Sequence, residues 1–141
     1  MKNVSNINIA SQTPLPAPRE VLAALPLPEG LTEQVWAHRQ AVVEVLEGRS
    51  RRLLILVGPC SIHCPQAAME YAQRLQRLAD ELSDRLLIVM RVYFEKPRTI
   101  LGWKGLIYDP ELNGSYDIAG GLRVARQLLR SVVELGLPVA T

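Results

Sequence analysis

The sequence has few aromatic residues, little net charge and no long apolar run, and each shortage excludes a class of protein. Phe, Trp and Tyr make up 5% of the 141 residues, and the net charge is +2. These values provide few stacking platforms and no basic surface of the kind that binds nucleic acids. No apolar stretch approaches the roughly 20 residues of a membrane-spanning helix, and the N-terminus MKNVSNINIASQ lacks the apolar centre of a signal peptide. We therefore expect no nucleic-acid partner and no membrane partner.

Cysteine and histidine are also scarce, with two of each. Without a secretory signal, the cysteines are expected to remain reduced thiols in the cytoplasm. Cys60, His63 and Cys64 offer three potential zinc ligands within five residues, but a closed structural site needs four ligands, and His38 is far away in sequence. Two interpretations of Cys60 remain open. It is either one ligand of an open metal site or a small buried residue under a turn.

The first 30 residues differ from the rest because they contain five prolines: Pro14, Pro16, Pro18, Pro26 and Pro28. This spacing prevents a long helix and favours extended chain. The stretch VLAAL at residues 21–25 is compatible with one or two helical turns. We interpret residues 1–30 as an N-terminal arm that contacts a neighbouring subunit, with disorder as the alternative. Residues 31–141 form the main domain in this interpretation.

An amphipathic helix is predicted directly after the arm. Thr32 is the expected N-cap, and Glu33 falls in the first turn, where the helix dipole favours an acid. Gly48 is the expected C-terminal stop.

The remaining sequence alternates strand and helix patterns. The apolar runs 53–57 and 86–93 are typical of strands buried on both faces. Apolar residues at helical spacing predict helices over 65–82 and about 117–135, and residues 137–141 predict a third strand. Because a helix of crossover length separates the first two strands, we expect them to be parallel. The pattern predicts an α/β protein.

A cluster of cationic residues follows the second strand. Arg91, Lys96, Arg98 and Lys104 lie within fourteen residues, with Glu95 as the only acid. Guanidinium and ammonium groups suit phosphate or carboxylate ligands, although a solvated loop after a core strand is the alternative. Ligands of parallel β/α folds bind at the carboxyl ends of the strands. Connectivity therefore places this cluster and Cys60 on one face.

Three motifs together resemble the microbial type I synthases of 3-deoxy-D-arabino-heptulosonate 7-phosphate (DAHP): GPCSIH at 58–63, MRVYFEKPRT at 90–99 and GWKGL at 102–106. The resemblance runs from about residue 30 to the last residue. It implies a transferase that condenses phosphoenolpyruvate, erythrose 4-phosphate and water into DAHP and phosphate, the first step of the shikimate pathway. It also implies a (β/α)₈ barrel, of which this chain would supply the arm, a helix and the first two to three βα units.

The resemblance also assigns roles to single residues. Cys60 matches the cysteine ligand of a divalent metal of the manganese, iron, cobalt or zinc class. Arg91 and Lys96 match residues that hold phosphoenolpyruvate, and they are expected to act in catalysis. Arg98 and Thr99 match contacts to erythrose 4-phosphate.

Tyr93 and Lys104 are also expected to line the site. Two positions depart from the family pattern, since Asp is usual where this chain has Cys64, and Asn where it has Tyr108. The family further implies a homo-oligomer inhibited by an aromatic amino acid.

The length of the chain leaves three interpretations open: the N-terminal part of a synthase, a non-catalytic partial barrel, and a truncated product without a stable fold. A (β/α)₈ barrel takes about 250 residues, and the resemblance places the other metal ligands, a His, a Glu and an Asp, on later strands. We therefore expect the 141-residue chain by itself to be inactive. The alternative function is that of a truncated, non-catalytic partial barrel that binds a full-length subunit or phosphorylated metabolites.

Overall fold

The structure, a computed structural model, describes Ser5 and residues 7–9, 11–96 and 101–141. Within these ranges it has four helices: α1 (Pro18–Ala24), α2 (Leu31–Leu46), α3 (Pro65–Glu81) and α4 (Ile118–Glu134). Its strands in the same ranges are β1 (Leu53–Val57), β2 (Leu86–Arg91) and β3 (Val139–Ala140). The α/β class is confirmed. No helix in the described part of the chain is both long enough and apolar enough to cross a membrane.

The strands form a parallel sheet in the order β1-β2-β3. Leu53 pairs with Leu86, and Met90 pairs with Val139. The predicted parallel pairing is therefore confirmed. Strand β2 ends two residues earlier than predicted, because the Tyr93 carbonyl accepts a hydrogen bond from the N–H of Ile62, a loop residue, at 2.8 Å. The chain leaves the ladder at this point and joins the loop after β1.

The hydrophobic core lies between the sheet and helices α3 and α4. Its most buried side chains include Met90 of β2, Ala72 of α3 and Val132 of α4, each with 0% exposure. Both helices present one apolar stripe to the sheet, as their sequence periodicity predicted.

The two long strands differ in burial. Strand β2 is buried over Leu87–Met90, as predicted for a strand covered on both faces. The same prediction is wrong for β1, where Leu53 and Leu56 are 62% and 57% exposed. Among the described strands, β1 pairs only with β2, so it lies at an edge of the sheet. An edge strand has no neighbouring strand to cover its outer side.

The N-terminal end of α2 also differs from its prediction. The helix begins at Leu31 after Gly30, which has a φ of 85° and serves as the N-cap, so the expectation that Thr32 caps the helix is wrong. Thr32 already lies in the first turn, because the left-handed backbone of Gly30 turns the chain into the helix one residue earlier. Gly48, at a φ of 72°, ends the helix region as predicted.

The described part of the arm contacts the same chain. Its predicted helical turns are confirmed as α1, which buries no residue. The Arg126 side chain on α4 donates through Nε to the Leu25 carbonyl at 3.1 Å. Helix α2, which follows the arm, also contacts α4: Gln34 donates through Nε2 to the Val133 carbonyl at 2.6 Å. Contact of the arm with a neighbouring subunit stays a prediction.

Candidate functional site at the carboxyl ends of the strands

The loops that follow β1 and β2 meet at the carboxyl edge of the sheet. A Cβ atom added to Gly58 would lie 2.1 Å from the main-chain oxygen of Arg91. Only glycine allows such a close approach of two backbones. Four residues later, the Ile62 N–H donates to the Tyr93 carbonyl. The loop after β1 is therefore attached to the chain after β2 on both sides of Cys60.

This attachment brings four of the predicted site residues together. The Lys96 ammonium lies 3.4 Å from the Cys60 sulfur. Arg91 donates through one terminal nitrogen to the carbonyls of Pro59 and Cys60, at 3.2 and 3.1 Å. The Arg91 guanidinium stacks on the Tyr93 ring, with its central carbon 4.4 Å from the ring centroid.

The arrangement orients positive charge toward the edge of the sheet. Arg91 is fixed by two carbonyls and an aromatic face, so less of its side-chain entropy remains to be lost when a ligand binds. A second cation, Lys96, lies beside the same loop. Two preorganised cations of this kind can bind a phosphate or a carboxylate.

Lys104 is brought next to Lys96 by a short pair of antiparallel segments. The Lys96 N–H donates to the Lys104 carbonyl at 2.9 Å, and the Leu106 N–H donates to the Phe94 carbonyl at 2.8 Å. Gly105 allows this pairing, because a Cβ there would lie 2.2 Å from the Phe94 oxygen. We refer to residues 94–96 and 104–106 as the paired segments. Arg98 and Thr99 come between these segments in sequence and fall outside the described residues.

Helix α3 begins at the other end of the loop after β1. Cys64 is its N-cap, and Pro65 is its first residue, where the sequence predicted that the helix begins. The Cys64 side chain does not bond to the helix N–H groups, and its thiol instead donates to Gln66 Oε1 at 3.4 Å. The first turn of α3 therefore lacks a side-chain cap.

The described residues do not form a complete metal centre. Over residues 5, 7–9, 11–96 and 101–141, no three His, Cys, Asp or Glu side chains are grouped closely enough to hold a metal ion. Cys60 is exposed and forms no disulfide. It fits a metal site as one sulfur donor, and the described residues do not complete a ligand set around it.

Three positions that shape the site were not assigned a role from the sequence. Gly58 makes the close approach to Arg91, while Trp103 and Asp109 hold the loop behind the paired segments. The turn dipeptide Asp109-Pro110 was the available signal for the last of these. It shows a turn but not the burial of its carboxylate.

Comparison with known proteins decides the family. Residues 27–141 match the model of the DAHP synthetase I family. The chain belongs to this family.

Two relatives come from Escherichia coli strain K12 and are named Tyr-sensitive and Trp-sensitive phospho-2-dehydro-3-deoxyheptonate aldolase. The first is 49% identical over 138 residues, covering 98% of this chain and 39% of the relative. The second is 49% identical over 141 residues, covering 100% of this chain and 40% of the relative. The phospho-2-dehydro-3-deoxyheptonate aldolase of Francisella tularensis SCHU S4 has a similar solved structure, with a TM-score of 0.90 and 44% identity over 95% of this chain and 39% of that one. The chain spans about two fifths of the length of these relatives.

Proposed function

We propose that this chain forms the N-terminal part of a DAHP synthase, which condenses phosphoenolpyruvate, erythrose 4-phosphate and water into DAHP and phosphate. Membership of the DAHP synthetase I family supports this proposal. The parallel sheet, with strands adjacent in chain order, is what the first units of a (β/α)₈ barrel require. The carboxyl ends of the strands would then be the catalytic face.

The observation that carries the proposal is the convergence of Arg91 and Lys96 on the loop of Cys60. Phosphoenolpyruvate carries a phosphate and a carboxylate, and Arg91 offers a planar fork already oriented by the Pro59 and Cys60 carbonyls. Lys96 provides a point charge beside the same loop, 3.4 Å from the Cys60 sulfur. In this proposal the two cations bind and orient phosphoenolpyruvate, and Tyr93 holds the Arg91 guanidinium in place.

Cys60 is proposed as a sulfur ligand of the divalent metal. A bound divalent ion would supply Lewis-acid chemistry at the reacting oxygen atoms. The contribution of this chain is an exposed thiol at the end of β1, directly beside the cations that hold the substrate. In an enzyme completed to the full length of the relatives, we expect Cys60→Ala to lower the affinity for manganese, measured by equilibrium dialysis.

The second substrate, the subunit partners and the regulation follow from the family resemblance. Arg98 and Thr99 are proposed contacts to erythrose 4-phosphate, and Lys104, the first residue of the second paired segment, is proposed to line the site. We propose a homo-oligomer, and an aromatic amino acid as its feedback inhibitor. The names of the relatives, Tyr-sensitive and Trp-sensitive, support this last point.

The proposal is tested in a hybrid enzyme, in which this chain replaces the matching segment of the Tyr-sensitive Escherichia coli relative. The hybrid should release phosphate when manganese and both substrates are present. Arg91→Ala and Lys96→Ala should each raise the KM for phosphoenolpyruvate by about one to two decades, because each removes a charge-assisted contact of roughly 1.5–3 kcal/mol. Arg123→Ala, an exposed arginine of α4, is the matched control and should leave this KM unchanged.

Two outcomes would contradict different parts of the proposal. A hybrid without activity beside an active parent would reject the assigned function. An active hybrid whose KM for phosphoenolpyruvate is the same in the Arg91, Lys96 and Arg123 variants would reject the assigned site.

A further inference from the structure

We infer that Trp103 and Asp109 are positioning residues that hold Lys96 in place through the paired segments. The inference rests on the proposed role of Lys96 in substrate binding. Trp103 directly precedes Lys104, whose carbonyl accepts the Lys96 N–H. Any group that fixes Trp103 therefore also fixes the main-chain partner of Lys96.

Trp103 is fixed by its indole group. The indole Nε1 donates to the Asp109 carbonyl at 2.8 Å. The ring is partly buried and packs against the hydrophobic core. One side chain thus ties the second paired segment both to the core and to the turn that follows.

Asp109 fixes that turn. It is 6% exposed, and its two carboxylate oxygens accept the Gly114 N–H at 3.2 and 3.1 Å. Its own N–H donates to the Gly105 carbonyl at 3.0 Å, which lies within the paired segments. A buried carboxylate that lost its N–H partner would be unfavourable, so the turn and the side chain stabilise each other.

The loop that leads into this turn packs against helix α4. A Cβ atom added to Gly121 would lie 2.1 Å from the Ile107 main-chain oxygen, so the helix and the loop touch through their backbones. The Asp117 side chain accepts the Gly120 N–H at 2.9 Å and caps the same helix end. Helix α4 therefore contacts the chain at Ile107, two residues before Asp109, whose carbonyl accepts the Trp103 indole N–H.

The first test measures amide hydrogen exchange in the 141-residue chain. Trp103→Phe keeps an aromatic ring but removes the N–H donor, and Asp109→Ala removes the carboxylate that closes the turn. Each change should speed exchange at the Lys96 amide about tenfold or more, while the Val89 amide in β2 should not change. Asp109→Asn retains an acceptor oxygen and should preserve most of the protection.

Two exchange results would overturn the inference. One is a Lys96 amide that exchanges equally slowly in the unchanged chain and in both the Trp103→Phe and Asp109→Ala variants. The other is a Lys96 amide that exchanges as fast in the unchanged chain as in an unstructured peptide.

The second test measures kinetics in the hybrid enzyme. Trp103→Phe and Asp109→Ala should raise the KM for phosphoenolpyruvate about tenfold, because a misplaced binding group loses much of its contribution. Asp109→Asn should restore most of this loss. Trp36→Phe, which changes a tryptophan on α2 that is 64% exposed, is the matched control and should leave the KM unchanged.

The kinetic outcomes separate the inference from the proposed function. A fall in kcat with an unchanged KM would show a general loss of folded enzyme and would overturn the positioning role. An inactive hybrid would reject the proposed function. The exchange measurement on Lys96 would still decide whether Trp103 and Asp109 hold the paired segments in place.

Discussion

Single residues at the carboxyl edge of the sheet determine how closely its loops approach. Gly58 lies against the main chain of Arg91, and Gly105 lies against the main chain of Phe94. Both contacts are too short for any side chain. The positions of Arg91 and Lys96 therefore depend on two residues that have no side-chain chemistry of their own.

The first prediction concerns Gly58. We expect Gly58→Ala to displace the Arg91 backbone, lowering the free energy of unfolding by about 1–3 kcal/mol, the usual cost of overpacking. In the hybrid enzyme the same change should raise the KM for phosphoenolpyruvate. Urea denaturation and steady-state kinetics measure the two effects. Gly48→Asn is the control, because Asn tolerates a left-handed backbone and a Cβ at Gly48 meets no atom within 4 Å. Equal effects of the two changes would show that crowding at Arg91 is not the cause.

The second prediction concerns the uncapped end of α3. Cys64 occupies the N-cap position without bonding to the N–H groups of the first turn. Cys64→Asp should raise the free energy of unfolding by about 1 kcal/mol, because a carboxylate there accepts those N–H groups and interacts favourably with the helix dipole. The urea midpoint at pH 7.5 checks this. Cys64→Ala removes the thiol without adding an acceptor, so an equal gain in both variants would disprove the capping explanation.

At the scale of elements, a groove lies between helix α2 and the sheet. The groove, of about 470 Å³, separates α2 from β1, β3 and the end of α4. His38 lines it together with apolar side chains such as Val35, Val42 and Val139. Burial in these surroundings lowers the pKa of His38 from its ordinary value of 6.5, and a hydrogen bond with the Gly136 main chain acts in the opposite direction.

The third prediction is a pH dependence that originates from His38. Because the folded state lowers the pKa of His38, the unfolded state binds its proton more readily. This contribution to stability is fully present above pH 6.5 and is lost as the pH falls through the lower pKa of the folded state. The free energy of unfolding, measured by urea denaturation between pH 8 and pH 5, should therefore fall less in His38→Gln than in the unchanged chain. His63→Gln, which changes an exposed histidine, should keep the full dependence. Parallel curves for all three proteins would contradict the role of His38.

At the scale of the whole molecule, the sheet has an exposed edge and exposed apolar side chains. Parallel sheets are normally covered on both faces, yet Leu53 and Leu56 of β1 are more than half exposed. An edge strand with exposed apolar residues favours association with other chains.

The fourth prediction is that the purified 141-residue chain self-associates. Sedimentation velocity should show a mean mass that rises with concentration, and Leu56→Lys should reduce this rise by placing a charge on the exposed strand. Leu101→Lys changes an equally apolar residue that is 84% exposed outside the sheet, and it should have little effect. A monomer at every concentration, or equal effects of both changes, would contradict the prediction.

We also expect no phosphate release from the purified 141-residue chain, because its described residues do not join Cys60 in a group of ligands that could hold a catalytic metal ion.

The sequence by itself determined the elements and the family. The bounds of β1 were predicted correctly, and α3 and α4 were predicted within about a residue at each end, because apolar periodicity is a local property of the chain. Connectivity also placed Cys60, Arg91 and Lys96 on one edge, since the carboxyl ends of parallel strands must lie together. The motifs around Cys60 and Lys96 identified the family that the comparison confirmed.

Only the tertiary structure decided burial and close contact. The apolar runs of β1 and β2 look alike in sequence, but β2 is central and buried whereas β1 lies at the edge and is exposed. The approach of Gly58 to Arg91 and the hydrogen bond from the Trp103 indole to the Asp109 carbonyl were likewise not predicted. These features depend on which segments pack against each other, sometimes across about a hundred residues, as for Gln34 and Val133. Local sequence patterns contain the periodicity of a segment but not the identity of its neighbours in space, so packing alone fixed the geometry of the site.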